Sequence, residues 1–172
     1  FPVRILQLTV ALHVSDKLII QSHKGPYTVY FGKDVPKNFD SLFKYTTHFI
    51  VDAKVAHIYR VELDAILRHP YTILIKSTEE NKSIGRIIPV IEQLVENNVR
   101  RDHYLIAIGG GIIQDITCFI ASTLMRGIKW NFFPTTLLAQ SDSCIGSKSS
   151  INLSNTKNIL GTFNPPNEIF IC

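Results

Sequence analysis

The sequence predicts an α/β fold, a mostly parallel sheet with helices on both faces. Short β-rich runs alternate with helical periodicity along the chain, the order expected when each crossover helix packs back on the sheet. One helix is marked clearly by apolar residues at three- and four-residue spacing between positions 84 and 95. Three glycines, Gly109 to Gly111, follow an apolar run and open a second apolar helix. At such a bend a phosphate group can approach backbone N–H groups at a helix N-terminus.

Taken in order, Val3–Leu12 and Lys17–Gln21 are β-rich and separated by polar Ser15 and Asp16, which predicts a pair of strands. Gly25 and Pro26 form a turn before a strand over Tyr27–Phe31. Pro36–Lys44 reads as a short helix with proline in its first turn. His48–Val51 is a strand feeding a helix over Ala53–Tyr59, and Tyr71–Ile75 is a strand after Pro70. In the periodic helix, Ile84, Ile87, Ile88, Ile91, Leu94 and Val95 form the apolar stripe, and Asn97 and Asn98 end it. A strand over Leu105–Ile108, a helix over Ile112–Leu124 and a strand over Trp130–Phe133 complete the pattern.

At 172 residues and 45% hydrophobic, the chain suits one domain, or one and a small appendage, with a packed core, and excludes disorder. No apolar run approaches a bilayer span, so no membrane role is expected. Eighteen Lys and Arg against fourteen Asp and Glu give a net charge of +4 without a basic cluster. Small anionic ligands are expected before nucleic acid. Cys118, Cys144 and Cys172 lack metal-like spacing and suit a reducing cytoplasm. The six histidines show no metal-ligand pair four residues apart and read as structural or exposed. Phe1 opens the chain and Cys172 closes it within an apolar stretch, so both ends are expected to be cut from a longer protein.

Gly109 and Gly111 occupy two slots of a G-x-G-x-x-G pattern, but Gln114 takes the third. The plain alternative is a glycine turn between strand and helix. Asp115 either accepts hydrogen bonds from a sugar or favours the helix dipole. Glu79 and Lys82 follow a strand and could hold ribose hydroxyls and a phosphate. Equally, the segment is polar because Thr78 or Ser83 caps a helix. Thr135 and Thr136 offer hydroxyls at a strand end, or cap the segment after Pro134. Asp142, Lys148, Lys157 and Asn158 place two lysines, a carboxylate and an amide around a Gly-Ser turn, a set suited to a phosphorylated polyol. Any one of them would pass as loop polarity. Arg126 is a surface charge or an anion ligand. The geometric expectation is that the glycine bend and both lysines converge on one crevice at a rim of the sheet.

These motifs carry a family likeness. GGGIIQD resembles the GGGVxGD of 3-dehydroquinate synthase and, more broadly, of the sugar phosphate cyclases. MRGIKWNFFPTTLLAQSDS is similar to the family's xRGxxxxxxPTTLLAQxDS, IGSKSSIN to its VGGKxxIN, and NTKNILGTFNPP to its xGKNxIGxFxxP. The spacing holds without gaps from Gly109 to Pro166, and a weaker likeness reaches back to Glu79–Ser83.

The resemblance implies a Rossmann-like, NAD-binding domain over 1–172, the N-terminal half of a dehydroquinate synthase-like fold. It implies NAD contacts from Glu79, Lys82, Gly110, Gly111, Asp115, Thr135, Thr136, Lys148 and Lys157. Asp142, Lys148 and Asn158 would face the substrate, and Arg126 would reach a substrate phosphate across a homodimer interface. The family's metal ligands, for zinc or cobalt, lie in a helical domain that this chain lacks, so no metal ligand is expected here and the chain alone is expected to be inactive. The implied activity is the cyclisation of 3-deoxy-arabino-heptulosonate 7-phosphate to 3-dehydroquinate with loss of phosphate, a lyase step in aromatic amino acid biosynthesis by the shikimate pathway. Alternatives are a divergent cyclase for another sugar phosphate and a related polyol dehydrogenase. The chain departs from the pattern at Ser77, Gln114 and Ser147. The last two are expected to narrow the room near the cofactor phosphates.

Overall fold

The computed structural model describes residues 17–32, 42–43 and 46–172. The strand expected over Val3–Leu12, and all but Leu42 and Phe43 of the helix expected over Pro36–Lys44, lie outside the described residues. Among the described residues, a seven-stranded sheet has the order β1-β2-β9-β6-β5-β3-β4. Its strands are β1 (Lys17–Ser22), β2 (Gly25–Phe31), β3 (Thr47–Asp52), β4 (Thr72–Ile75), β5 (Tyr104–Gly109), β6 (Lys129–Pro134) and β9 (Glu168–Ile171). The described partner of β1 is β2, in an antiparallel hairpin turned at Gly25, whose φ of 108° favours glycine. Every other pairing in this sheet is parallel. A separate antiparallel pair, β7 (Ile151–Leu153) and β8 (Thr156–Leu160), was not anticipated.

Among the described residues four helices cross over: α1 (Ala53–Ile58), α2 (Asp64–Leu67), α3 (Ile84–Glu96) and α4 (Gly111–Thr123). Successive strand residues point to opposite faces, and both faces are covered. Phe49, Val51, Ile106 and Ile108 pack with Ala56 and Ile66 under α1 and α2. Ile50, Leu105 and Ala107 pack with Ile87, Leu94, Ile113 and Ile120 under α3 and α4. The stripe on α3 is narrower than its spacing suggests. Ile87 and Leu94 are fully buried, whereas Ile88 and Val95 stand about half exposed. Left-handed Asn98 (φ 54°) ends α3, and the Val99 N–H closes the turn on Leu94 O at 3.0 Å.

Chain connections leave β3 toward β4 on one side and leave β5 toward β6 on the other. The C-terminal ends of β3 and β5 therefore flank the switch point where open parallel sheets form a ligand crevice.

A candidate cofactor and substrate crevice

At that switch point the glycine bend meets Asp52. A β-carbon added at Gly109 would lie 2.5 Å from Ile113 Cγ1 and 3.2 Å from Asp52 Cβ, so the strand end and helix start touch through hydrogen alone. One added at Gly110 would lie 3.0 Å from Thr136 Cγ2. Thr136 also caps the following turn, accepting the Ala139 N–H at 3.3 Å, and the Thr135 N–H bonds Gly109 O at 2.9 Å. The two threonines thus line the bend and shape the next segment at once. Asp52, which the sequence reading did not single out, caps α1 through the Lys54 N–H (2.8 Å) and accepts the Ser77 hydroxyl (2.7 Å). An aspartate ending an apolar strand just before a helix is the signal that could have found it.

Beside the bend, Lys82 is the centre of a polar network. Its side chain is 10% exposed, and its Nζ lies 2.9 Å from Asn158 Oδ1 and 3.4 Å from both Glu79 Oε1 and Asp115 Oδ2. Asp115 also accepts the Ser150 N–H at 3.1 Å. Burial pushes its carboxyl up to about 6, outweighing the pull of Lys82 and of that N–H. Asp115 is thus tied across to another segment and does not serve the dipole of its own helix. The Asn152 amide (2.8 Å) holds Glu79 below the ordinary carboxylate range, with help from Lys82 and Lys157. Asn158 sits at φ 56°, a left-handed position that asparagine tolerates, and its Oδ1 also accepts the Ser150 hydroxyl at 2.6 Å. Neither Thr78 nor Ser83 caps a helix with its side chain; the Ser83 hydroxyl turns back to Glu80 O at 2.8 Å.

Asp142 stands exposed in a π-helical turn, Ala139–Ser143, closed by the Cys144 N–H on Ala139 O at 3.0 Å. Lys148 is exposed on the strip that runs from Ser147, in contact with Cys118, to Ser150, in contact with Asp115. Among the described residues, then, Glu79, Lys82, Asp115, Lys157 and Asn158 gather directly, and the glycines and threonines gather beside them. Arg126 does not join them. It lies beyond the far end of α4, whose 13 residues span roughly 20 Å.

Gln114 is buried and does not point into free space by the glycines. Its amide nitrogen donates to Ser143 O, and its Oε1 accepts the Ser143 hydroxyl at 2.8 Å. Ser147 takes the left-handed φ of 63° that a glycine would occupy without strain, and its side chain reaches the Tyr27 hydroxyl. A cavity of about 340 Å³ opens on the other flank of the bend, lined mainly by Val55, Tyr59, Leu63, Phe133 and Cys172, with Thr135 at its polar edge. Among the described residues no group of three or more His, Cys, Asp or Glu could hold a metal ion.

A parallel sheet with a switch-point crevice, a glycine bend, an apolar recess and a lysine–carboxylate network defines an α/β domain of the open, mostly parallel class. The 3-dehydroquinate synthase N-terminal family matches residues 72–172, and the chain belongs to that family. The 3-dehydroquinate synthase of Clostridium tetani is 36% identical over 154 residues, covering 84% of this chain and 41% of that protein. The chain spans less than half the length of the relatives it matches. Among solved structures, 2-epi-5-epi-valiolone synthase from Streptomyces hygroscopicus subsp. jinggangensis, with NAD+ and Zn2+ bound, is 28% identical with a TM-score of 0.74, covering 84% of this chain and 42% of that one. A 2-deoxy-scyllo-inosose synthase shares the fold at 23% identity and a TM-score of 0.77, covering 90% of this chain and 45% of that one.

Proposed function

We propose that this chain is the NAD-binding part of a cyclase that closes a sugar phosphate into a carbocycle with loss of phosphate, its substrate 3-deoxy-arabino-heptulosonate 7-phosphate and its product 3-dehydroquinate. The observation that carries the reading is the buried Lys82 network set beside a glycine bend at the sheet's switch point. The bend and the first N–H groups of α4 suit a pyrophosphate. The apolar recess beside Thr135 suits an adenine ring, and Glu79, Lys82 and Asp115 suit the hydroxyls and charge at the nicotinamide end. NAD supplies a transient removal and return of hydride at one ring carbon.

The chain's own residues bind and orient. Lys148 and Lys157 bring cationic charge to a phosphate, with lysine acting as a point charge. Asp142 accepts from a ring hydroxyl, and Asn158, fixed by Lys82 and Ser150, presents its amide at a set angle. The described residues do not fit a metal, so no step is assigned to one; in this reading zinc or cobalt is held by helices in the remaining length of the relatives. Arg126, remote from its own crevice, serves the crevice of a second copy in a homodimer. Three unpaired cysteines suit the cytoplasm.

A second reading is a divergent cyclase acting on another sugar phosphate, favoured by Gln114 and Ser147. Calorimetric titration of the chain with NAD+ tests the shared premise, and absence of binding refutes both. Phosphate release from candidate sugar phosphates by the full-length protein separates them. Hydride transfer to NAD+ from a simple polyol without phosphate release would instead identify a polyol dehydrogenase.

A further inference from the structure

The cyclase reading gives Asp142 a substrate-facing role, and on that reading we infer that Gln114 is its positioning residue. The turn bearing Asp142 is tied down on both sides by glutamine amides. Gln140 Nε2 donates to Pro134 O at 3.0 Å and to Cys172 O at 3.1 Å, fixing one end to the tips of β6 and β9. Gln114 fixes the other end through two bonds to Ser143, one to its carbonyl and one from its hydroxyl. The Gln114 backbone N–H bonds Gly110 O at 3.1 Å, so this second tie springs from the glycine bend itself. Ser143 Oγ lies 3.8 Å from where a Gly111 β-carbon would stand. Asp142 lies one residue away and exposed, so its carboxylate is free for a ligand while the backbone beneath it is held.

A π-helical turn is a one-residue bulge with weak intrinsic preference, often used at functional sites. Without side-chain ties it would relax toward an ordinary helical turn and rotate Asp142 away. A glycine at position 114, as in the family pattern, has no side chain to make this tie. Here the amide does so, and its polar atoms are satisfied in a buried setting.

The test measures phosphate release from 3-deoxy-arabino-heptulosonate 7-phosphate by the full-length protein in Gln114→Leu, Ser143→Ala, Asp142→Asn and the double variant Gln114→Leu with Asp142→Asn. Gln114→Leu and Ser143→Ala should each lower kcat about tenfold or more, as expected for a reacting group misplaced by a fraction of an ångström. NAD+ affinity should stay within about twofold, and Gln114→Leu should add less than about twofold once Asp142 is already Asn. Losses that multiply in the double variant, or an unchanged kcat in Gln114→Leu, overturn the inference. Gln114→Glu, which keeps the volume but cannot donate to Ser143 O, guards against a fold defect in the leucine variant and should show the same dependence on Asp142. A wild-type protein that releases no phosphate refutes the substrate assignment alone. Carbon-13 NMR of the Asp142 carboxyl in this chain then decides the latch: a resonance displaced by Gln114→Leu supports it, and a superimposable spectrum overturns it.

Discussion

Replacing Lys82 by methionine removes the cation at the centre of the crevice network and leaves its apolar stem. Asp115, one-fifth exposed, then loses the partner at 3.4 Å, while Glu79 keeps the Asn152 amide. In the wild type, burial already raises the Asp115 carboxyl from 3.8 to about 6. A carboxyl whose folded value is raised contributes stability below its unfolded value and loses it as pH climbs through the folded one. Ionising Asp115 in the fold therefore costs about 3 kcal/mol by pH 7. Breaking a fully buried pair costs about 3–5 kcal/mol, and partial exposure of both carboxylates brings the expected loss here to about 2 kcal/mol. The loss should depend on pH. Near pH 5 most wild-type Asp115 is already protonated and asks little of Lys82, so the variant should lose only about 1 kcal/mol there. Urea unfolding at pH 5 and pH 8 measures both values. An equal loss at the two pH values, or a larger one at pH 5, would refute the claim that Asp115 sets the demand for Lys82.

Gly109→Ala forces a β-carbon against Ile113 Cβ and Asp52 Cβ, neither of which can swing away, and should cost about 1–3 kcal/mol in urea unfolding along with NAD+ binding. Gly111→Ala meets only Ser143 Oγ at 3.8 Å and should leave stability within about 0.5 kcal/mol, so equal losses would contradict this ranking. Burial, then His103 and His69, push the His48 imidazole down to about 4. Because the unfolded chain takes up that proton near 6.5, stability should fall by about 3 kcal/mol as pH drops from 6.5 to 4. His48→Phe, which keeps the stack on Tyr71, should flatten that slope in pH-dependent melts. Lys148→Ala should abolish turnover in the full-length protein; undiminished phosphate release would remove Lys148 from the site.

The central strands and helices were legible because burial on both faces leaves an unmistakable mark: β5 is an apolar run and the glycines punctuate its end. The β7–β8 pair was not, because after Ile151 and Asn152 its residues face outward and carry no alternating pattern. The glycine slot at Gln114 was visible, but its meaning was not. The sequence suggested crowding of a cofactor, whereas the amide finds Ser143, 29 residues away, a pairing that spacing does not encode. The caps expected at Thr78 and Ser83 failed for a similar reason. Both residues begin helical segments, yet the Ser83 hydroxyl bonds the turn behind it and the Thr78 side chain makes no capping bond. Of the polar set from 142 to 158, Asn158 and Lys157 meet Lys82 and Glu79, whereas Asp142 and Lys148 stand exposed on other segments. Ser150 and Asn152, which bond Asp115 and Glu79, pass as loop polarity without coordinates.

Among the described residues, strand β2 reaches β6 and the strands beyond it through β9, from which it is separated by about 140 residues of chain. On a ribosome adding about 5–20 residues per second, the β1–β2 hairpin would wait on the order of ten seconds before its docking edge emerges. A nascent chain halted short of Glu168 would thus lack three of the seven strands, although only one of them is missing from its sequence. The edge of β6 would then stand open to pairing with a neighbour.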